Sequence, residues 1–148
     1  MEASEIALIY TRDLDKLYKE IESYSIEEHI WVVKPGISNS AGNLCLHLVG
    51  SISHFIGATL GNTGYIRDRD EEFLLKDLPT NELLAKVSAC SSMASQVING
   101  LSQENLKLDF KFDFAGKKSI GSYLVFFAGH LNYHLGQINY HRRLIEAN

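Results

Sequence analysis

The chain has 148 residues, of which 14 are lysine or arginine and 18 are aspartate or glutamate, giving a formal net charge of -4. This length and an ordinary apolar content predict one domain over residues 1–148, and the slight excess of acid argues against nucleic acid or anionic lipid as a partner. The two cysteines, Cys45 and Cys90, are far apart, which excludes a disulfide scaffold and a four-cysteine zinc site. The N-terminus lacks the pattern of a signal peptide, so we expect a cytoplasmic protein.

The first predicted helix covers residues 3–23, where apolar residues recur at alternating spacings of four and three. These apolar positions are Ala3, Ala7, Tyr10, Leu14, Leu17, Ile21 and Tyr24. The pattern predicts one buried helix face, with Asp13 among the charged residues on the other faces. The segment from Ser25 to Glu28 has the form of a capping box, which predicts a short helical turn through Ile30.

The second helix is predicted at residues 41–60, and the turn residues 62–64 end it. Three polar residues precede it and can provide its N-cap: Ser38, Asn39 and Ser40. The third helix is predicted at residues 80–101, directly after Pro79. The connection of residues 62–79 is long and dense in charge, so it can cross over the end of a helical bundle.

Residues 108–114 alternate apolar and charged side chains, which indicates a short extended segment with one apolar edge. No strand partner for this segment is evident, so we interpret it as a connector. The fourth helix is predicted at residues 119–146. The sequence therefore predicts an all-α fold, a four-helix bundle with a long crossover connection between helices 2 and 3.

Two stretches, residues 35–66 and 119–141, contain no aspartate, glutamate, lysine or arginine. They hold the second helix and most of the fourth, and a helix without a charged face is usually enclosed on most sides. A membrane span explains the fourth helix poorly, because hydrocarbon would penalise its many histidine, asparagine and glutamine side chains. We expect central helices of a soluble bundle or a homodimer interface. Small residues of the second helix would allow close helix approach: Gly50, Ser53, Gly57, Ala58 and Gly61.

Five of the six histidines lie in these two stretches. His130 and His134 are four residues apart, so their rings project from one helix face about 6 Å apart along the axis, a spacing that allows two imidazoles to bind one divalent metal ion. A third ligand would come from another helix, and of His47 and His54, which are seven residues apart, only one can join the same ion. The alternative is a set of hydrogen-bonded core histidines, which is our interpretation of His29 and His141.

Two segments carry a family resemblance. Residues 129–138, GHLNYHLGQI, resemble the fourth-helix motif HxxxHxGQ of the DinB-like superfamily, and residues 43–48, NLCLHL, resemble its second-helix motif. Helix order and chain length are similar as well, so the resemblance covers essentially the whole chain. It implies a four-helix bundle, often dimeric, with one divalent metal ion on three histidines, which here are His47, His130 and His134.

The resemblance implies a reaction class only in outline, since some relatives look like thiol-dependent transferases and others like isomerases. Zinc and nickel are both suited to imidazole ligands. A metal ion on three histidines keeps coordination positions open for water or substrate, and it lowers the pKa of a bound thiol. The HLNYH segment lacks the glutamate of HExxH enzymes, which argues against a peptidase. We expect a metal-dependent transferase that joins a low-molecular-weight thiol to a small electrophile. The alternative is a non-catalytic bundle in which the metal is a structural staple.

Three more polar residues are candidates for the site. Gln137 is three residues past His134 on the same face, where it can hydrogen-bond a ligand ring or a bound water, or else satisfy backbone. Arg67 and Arg69 are candidates for binding the carboxylate of a thiol substrate, although such charge runs usually form a solvated or internally paired loop. Cys45 points about 200° away from His47 around the helix, so we expect it to be a small buried residue rather than a ligand.

Overall fold

The computed structural model describes residues 1–147, and most of them are helical. In chain order the α-helices are α1 Ala3–Glu22, α2 Ala41–Ile52, α3 Thr59–Gly61, α4 Arg69–Leu74, α5 Thr80–Asn99, α6 Gln103–Lys107 and α7 Ile120–Ile145. A 3-10 helix, Glu27–Trp31, precedes α2, and a π-helical turn, Ser53–Ala58, joins α2 to α3. Residues 1–147 contain no β-strand, only an isolated bridge between Asp109 and Ser119, which confirms the all-α prediction.

Two of the helices, α2 and α7, begin at serines whose side chains cap them. The Ser40 hydroxyl accepts a hydrogen bond from the Asn43 backbone N–H at 3.1 Å and caps α2. Ser119 caps α7 in the same way, accepting from the Ser122 N–H at 3.2 Å. Asn62 ends α3 in the left-handed conformation with φ 51°, which asparagine tolerates better than most residues. The predicted first, third and fourth helices agree with α1, α5 and α7 to within a few residues, whereas the predicted second helix, residues 41–60, is divided into α2, the π-helical turn and α3.

The predicted capping box from Ser25 to Glu28 is wrong. The Ser25 N–H donates instead to the two carboxylate oxygens of Glu146, at 3.0 and 2.9 Å, and the 3-10 helix begins at Glu27. This partner lies at the other end of the chain, so a tertiary contact replaces the local one. The short α6 was not predicted, because five residues are too few to show a helical period.

The long helices pack around one hydrophobic cluster that includes buried residues from α1, α2, α5 and α7. α1 packs chiefly against α5 and also against α7, whereas α2 packs against α5, α7 and the short α4. The order around the core is thus α1, α5, α2, α7, and the connection between α2 and α5 contributes α4 to the side of α2. This arrangement places α2 directly beside α7.

Asp13 is fully buried, which corrects the prediction that it lies on an exposed face of α1. Its carboxylate accepts hydrogen bonds from Nε of Arg12 at 2.8 Å and from the side-chain amide of Asn132 on α7. A buried carboxylate is tolerated when it is paired and hydrogen-bonded. The burial of Asp13 therefore depends on its contact with Asn132 of α7, which the charge pattern of α1 could not predict.

One helical stretch, Ala41–Gly61, is long and apolar enough to cross a membrane by length and composition alone. More than half of its most apolar window is buried inside the fold, as in a core helix of a soluble protein. The molecule has the character of a soluble helical protein, and its cytoplasmic location stays a prediction.

Candidate metal centre

Three histidine side chains converge where α2 packs against α7. His47 projects from α2 and His130 and His134 project from α7, with one ring nitrogen from each within 4.8 Å of the others. Nε2 of His130 lies 3.2 Å from Nε2 of His47 and 3.1 Å from Nε2 of His134. The structure thus brings together three of the predicted site residues, although 83 residues separate His47 from His130.

The spacing of these nitrogens fits a metal ion. Metal–nitrogen bonds of about 2.0–2.1 Å, with angles of about 90–109° between ligands, place neighbouring ligand atoms about 2.8–3.4 Å apart. The observed separations of 3.2 and 3.1 Å lie inside that range. The residues present therefore fit a divalent metal ion on three imidazole nitrogens.

The outward nitrogens of two rings face hydrogen-bond acceptors. Nδ1 of His47 lies 3.1 Å from Oε1 of Glu72, and Nδ1 of His134 lies 2.7 Å from Oε1 of Gln137. A neutral imidazole that donates from Nδ1 keeps its Nε2 lone pair free. Both bonds therefore select the tautomer in which Nε2 is available to a metal ion.

These tautomers leave too few protons at the centre to satisfy every nitrogen. His47 and His134 both present an Nε2 lone pair, and Nε2 of His130 has at most one proton to donate. At most one of the two short Nε2–Nε2 contacts can then be a hydrogen bond, and the lone pair of the other ring is left without a donor. A cation at the centre would be bound by all three lone pairs, so it satisfies the cluster better than mutual hydrogen bonds do.

Burial favours the neutral form of His130 and His134. The pKa of His130 is lowered to about 4, mainly by burial and further by the charges of His134, His47 and Arg67. Burial also lowers the pKa of His134, outweighing the opposite effect of the hydrogen bond with Gln137. Neutral imidazole is the form that binds metal ions.

The centre is more accessible from α7 than from α2. His47 is 7% exposed and packs against the Phe73 ring, with 5.0 Å between ring centroids, whereas His130 and His134 are only partly buried. The side of the cluster formed by His130 and His134 is therefore the side that faces solvent.

Glu72 is the residue of this centre that sequence reasoning missed. It is 6% exposed and accepts hydrogen bonds from Nε and Nη2 of Arg67, at 2.8 and 2.9 Å, in addition to facing His47. Burial raises the pKa of Glu72, but the hydrogen bonds from His47 and Arg67 and the charge of Arg67 outweigh it and lower the pKa below its ordinary value. Glu72 lies in a charge-rich connection, where nothing in the sequence distinguishes it from its acidic neighbours.

The two arginines have different surroundings. Arg67 forms an ion pair with Glu72 through two hydrogen bonds. It is therefore paired within the protein, which was the alternative to a role in binding the carboxylate of a substrate. Arg69 is exposed, with its guanidinium carbon 5.4 Å from the centroid of the Phe73 ring. Its role as an anion contact stays a prediction.

The other histidines lie outside the cluster. His54 sits in the π-helical turn and packs against Phe55 and Phe112, with ring centroids 4.8 and 5.8 Å away. His141 is buried, with Nδ1 2.6 Å from the Tyr24 hydroxyl and Nε2 2.8 Å from the Val32 carbonyl oxygen. His141 is thus a core histidine whose two nitrogens are both satisfied.

Comparison with known protein families gives a match to this chain. The model of a protein family described as the DinB superfamily matches residues 9–138, a range that contains His47, His130, His134 and Gln137. The match covers most of the chain and all of the candidate metal ligands. No curated protein matches the chain.

Proposed function

The chain belongs to the DinB superfamily, and on that premise we propose that it binds one zinc or nickel ion on His47, His130 and His134 and transfers a low-molecular-weight thiol to a small electrophile. The observation that carries the proposal is the position of His130, whose Nε2 lies 3.2 Å from Nε2 of His47 and 3.1 Å from Nε2 of His134, with two of the rings partly exposed. A site with three protein ligands and an accessible side retains room for a small molecule.

When bound, a divalent ion held by neutral imidazoles keeps its full positive charge and favours the thiolate form of a small thiol. The residues of the chain hold that arrangement: Gln137 fixes the ring of His134, and Glu72 faces the ring of His47. Glu72 is already engaged by Arg67 and His47, so it is not a free general base. A thiol that is already ionised needs no such base.

The test is a panel of cellular thiols with a chromogenic electrophile, assayed with zinc-loaded or nickel-loaded protein. We expect conjugation above the background rate with at least one thiol, and a rate close to background for His130→Ala, because that variant lacks one ligand. Equal rates in the two proteins would exclude the metal centre from the reaction.

The alternative is a non-catalytic bundle in which the metal ion is a structural staple. This alternative is supported by the location of the ligands on two different helices, because an ion on His47, His130 and His134 would cross-link α2 to α7. A ligand at a hundred times its dissociation constant stabilises the folded state by about 2.7 kcal/mol. A large rise in melting temperature with zinc, together with no turnover of any thiol, would favour the staple.

We also infer a single four-helix bundle domain over residues 1–148, with residues 62–79 as its crossover connection. The shared hydrophobic cluster of the long helices supports one domain, and the packing of α4 against α2 supports a connection that covers the bundle.

We propose further that the chain forms a homodimer, but through α7 and not through the small residues of the second helix. The glycines of the second helix make room for side chains of the same chain. A Cβ atom at Gly50 would contact Glu72, one at Gly57 would contact Met93, and one at Gly61 would contact Val97. Intrachain packing therefore accounts for these glycines, and they give no reason to expect a second subunit at that surface.

The exposed face of α7 has the pattern of a helix-pairing surface, which we call the α7 stripe. Phe126, Tyr133 and Tyr140 are 44%, 65% and 64% exposed and recur every seven residues, with Gly129 and Gly136 between them. A Cβ atom at either glycine would meet nothing within 4 Å, so packing within the chain does not require glycine there. Alternating aromatic rings and glycine gaps on one helix are self-complementary, as the interface of a symmetric dimer must be.

A further inference from the structure

We propose that Glu72 is a positioning residue of the metal centre, which holds the His47 ring in the orientation and tautomer that a metal ion requires. This inference rests on the proposed metal site. Its basis is the 3.1 Å separation between Oε1 of Glu72 and Nδ1 of His47, on the side of the ring opposite Nε2. A carboxylate that accepts a hydrogen bond from a ligand histidine also makes that histidine a stronger donor to the metal.

Gly50 provides the space for this contact. It lies three residues after His47 on α2, where a Cβ atom would overlap the carboxylate of Glu72. Any other residue would push the carboxylate away from this part of α2. The absence of a side chain at Gly50 therefore allows the carboxylate of Glu72 to reach His47.

Arg67 fixes the carboxylate and balances its charge. Its two-point contact with Glu72 leaves that side chain little freedom to rotate, and the Arg67 side chain is itself only 12% exposed. The positive charge of Arg67 offsets the negative charge of Glu72 beside the centre. Glu72 can therefore orient His47 while the three-histidine site keeps the net charge that favours a bound anion.

The position of α4 does not depend on the Glu72 side chain alone. The side-chain amide of Asn43 donates to the backbone carbonyl oxygens of Glu72 and Leu75, at 3.0 and 2.8 Å, and so ties α4 to α2. A change of the Glu72 carboxylate can therefore be made while these backbone contacts remain, which makes its effect on the centre measurable.

The test compares Zn²⁺ affinity and the absorption spectrum of bound Co²⁺ in wild type, Glu72→Gln and Gly50→Ala. We expect the dissociation constant for Zn²⁺ to rise about 10–100-fold in Glu72→Gln, the usual effect of losing a partner of a ligand histidine. Gly50→Ala, which displaces the carboxylate without altering any charge, is expected to weaken binding in the same direction. In both variants the Co²⁺ bands should shift while one ion per chain is still bound.

Two variants serve as matched controls. Glu71→Gln removes the same charge from the exposed neighbour of Glu72, and Gly100→Ala adds a Cβ atom at ordinary contact distance, 3.4 Å from the nearest atom. Both should leave the affinity and the Co²⁺ spectrum as in wild type. A general loss of stability would lower the melting temperature without shifting the Co²⁺ bands, and this result in Glu72→Gln would overturn the inference.

The outcomes separate this inference from the proposed function. Unchanged Zn²⁺ affinity and an unchanged Co²⁺ spectrum in Glu72→Gln would overturn the role of Glu72 and leave the three-histidine site standing. Wild-type protein that binds neither Zn²⁺ nor Ni²⁺ would overturn the metal site itself, and with it the role of Glu72.

Discussion

At the scale of single residues, the partners of each histidine decide what its ring can bind. Both nitrogens of His141 are used inside the protein, by the Tyr24 hydroxyl and by the Val32 carbonyl oxygen. Burial lowers the pKa of His141, although the hydrogen bond to Val32 opposes it, so the ring is a neutral part of the core. His47 and His134 have only their Nδ1 atoms engaged by outer partners, which leaves Nε2 for a metal ion.

This difference predicts which histidine substitutions abolish metal binding. His134→Ala and His130→Ala should reduce zinc content far below one ion per chain after incubation and dialysis, because each removes one of three converging nitrogens. His54→Ala should keep nearly one ion per chain, since its ring packs among phenylalanines away from the cluster. Elemental analysis of the purified variants measures the outcome.

His141→Ala provides a second control for metal content. The substitution removes a buried ring with two hydrogen-bonded nitrogens, so it should lower the free energy of unfolding while folded protein still binds zinc. Similar loss of zinc in all four variants would contradict the assignment of the three ligands.

At the scale of the elements, Glu146 ties the C-terminal end of α7 to the segment that precedes the 3-10 helix. Its carboxylate accepts hydrogen bonds from the backbone N–H groups of Ser25 and Ile26 and lies 2.9 Å from Nδ1 of His29. The slight burial of this group raises its pKa, but the hydrogen bonds from Ser25, His29 and Ile26 outweigh burial and lower the pKa of Glu146 to about 2. One side chain thus joins two elements that are distant in sequence.

The lowered pKa of Glu146 predicts how the stability that this side chain contributes depends on pH. An unfolded glutamate has a pKa of about 4.3, so the folded state favours the ionised form and gains stability from it above that pH. The gain should be lost as the pH falls from about 4.3 towards 2. Glu146→Gln should therefore be less stable than wild type at pH 7, and the difference should shrink in acid. Urea unfolding at several pH values measures it.

Glu104→Gln, at an exposed glutamate on α6, is the matched control for this measurement. It should follow the wild-type pH dependence, because it removes a similar charge without breaking a comparable set of hydrogen bonds. A difference between Glu146→Gln and wild type that stays constant from pH 7 to pH 3 would show that the carboxylate is not the stabilising group.

At the scale of the whole molecule, the α7 stripe predicts a homodimer. Sedimentation at micromolar concentration and moderate salt should give twice the chain mass. Tyr140→Glu should shift the protein towards monomer, because it places a charge on a face whose remaining rings are uncharged. Tyr140 is 64% exposed, so the substitution should leave the helical content unchanged.

Leu74→Glu is a suitable control for this prediction, since it adds a charge at an exposed leucine of α4 that lies outside the α7 stripe. It should sediment as wild type does. Wild-type protein that sediments as a monomer would exclude the dimer, and dissociation by Leu74→Glu alone would place the interface on another surface.

The sequence by itself determined the parts of this protein that depend on near neighbours along the chain. Apolar spacing and capping residues such as Ser40 and Ser119 act within a few residues, so the extents of the long helices could be predicted. The pairing of His130 with His134 is also local, because a helix brings residues four apart onto one face. The motifs at residues 43–48 and 129–138, with the helix order and the chain length, indicated the DinB superfamily, which the family match over residues 9–138 confirms.

Only the tertiary structure decided which distant residues meet. Helical geometry left both His47 and His54 open as the third histidine of the cluster, and the family resemblance implied His47. The packing of α2 against α7 is what brings His47 to the other two histidines. The same packing places Glu72 behind His47 and buries Asp13 against Asn132. Each of these contacts joins residues on different elements, and it depends on how those elements pack, whereas periodicity and spacing report only on neighbours within one element.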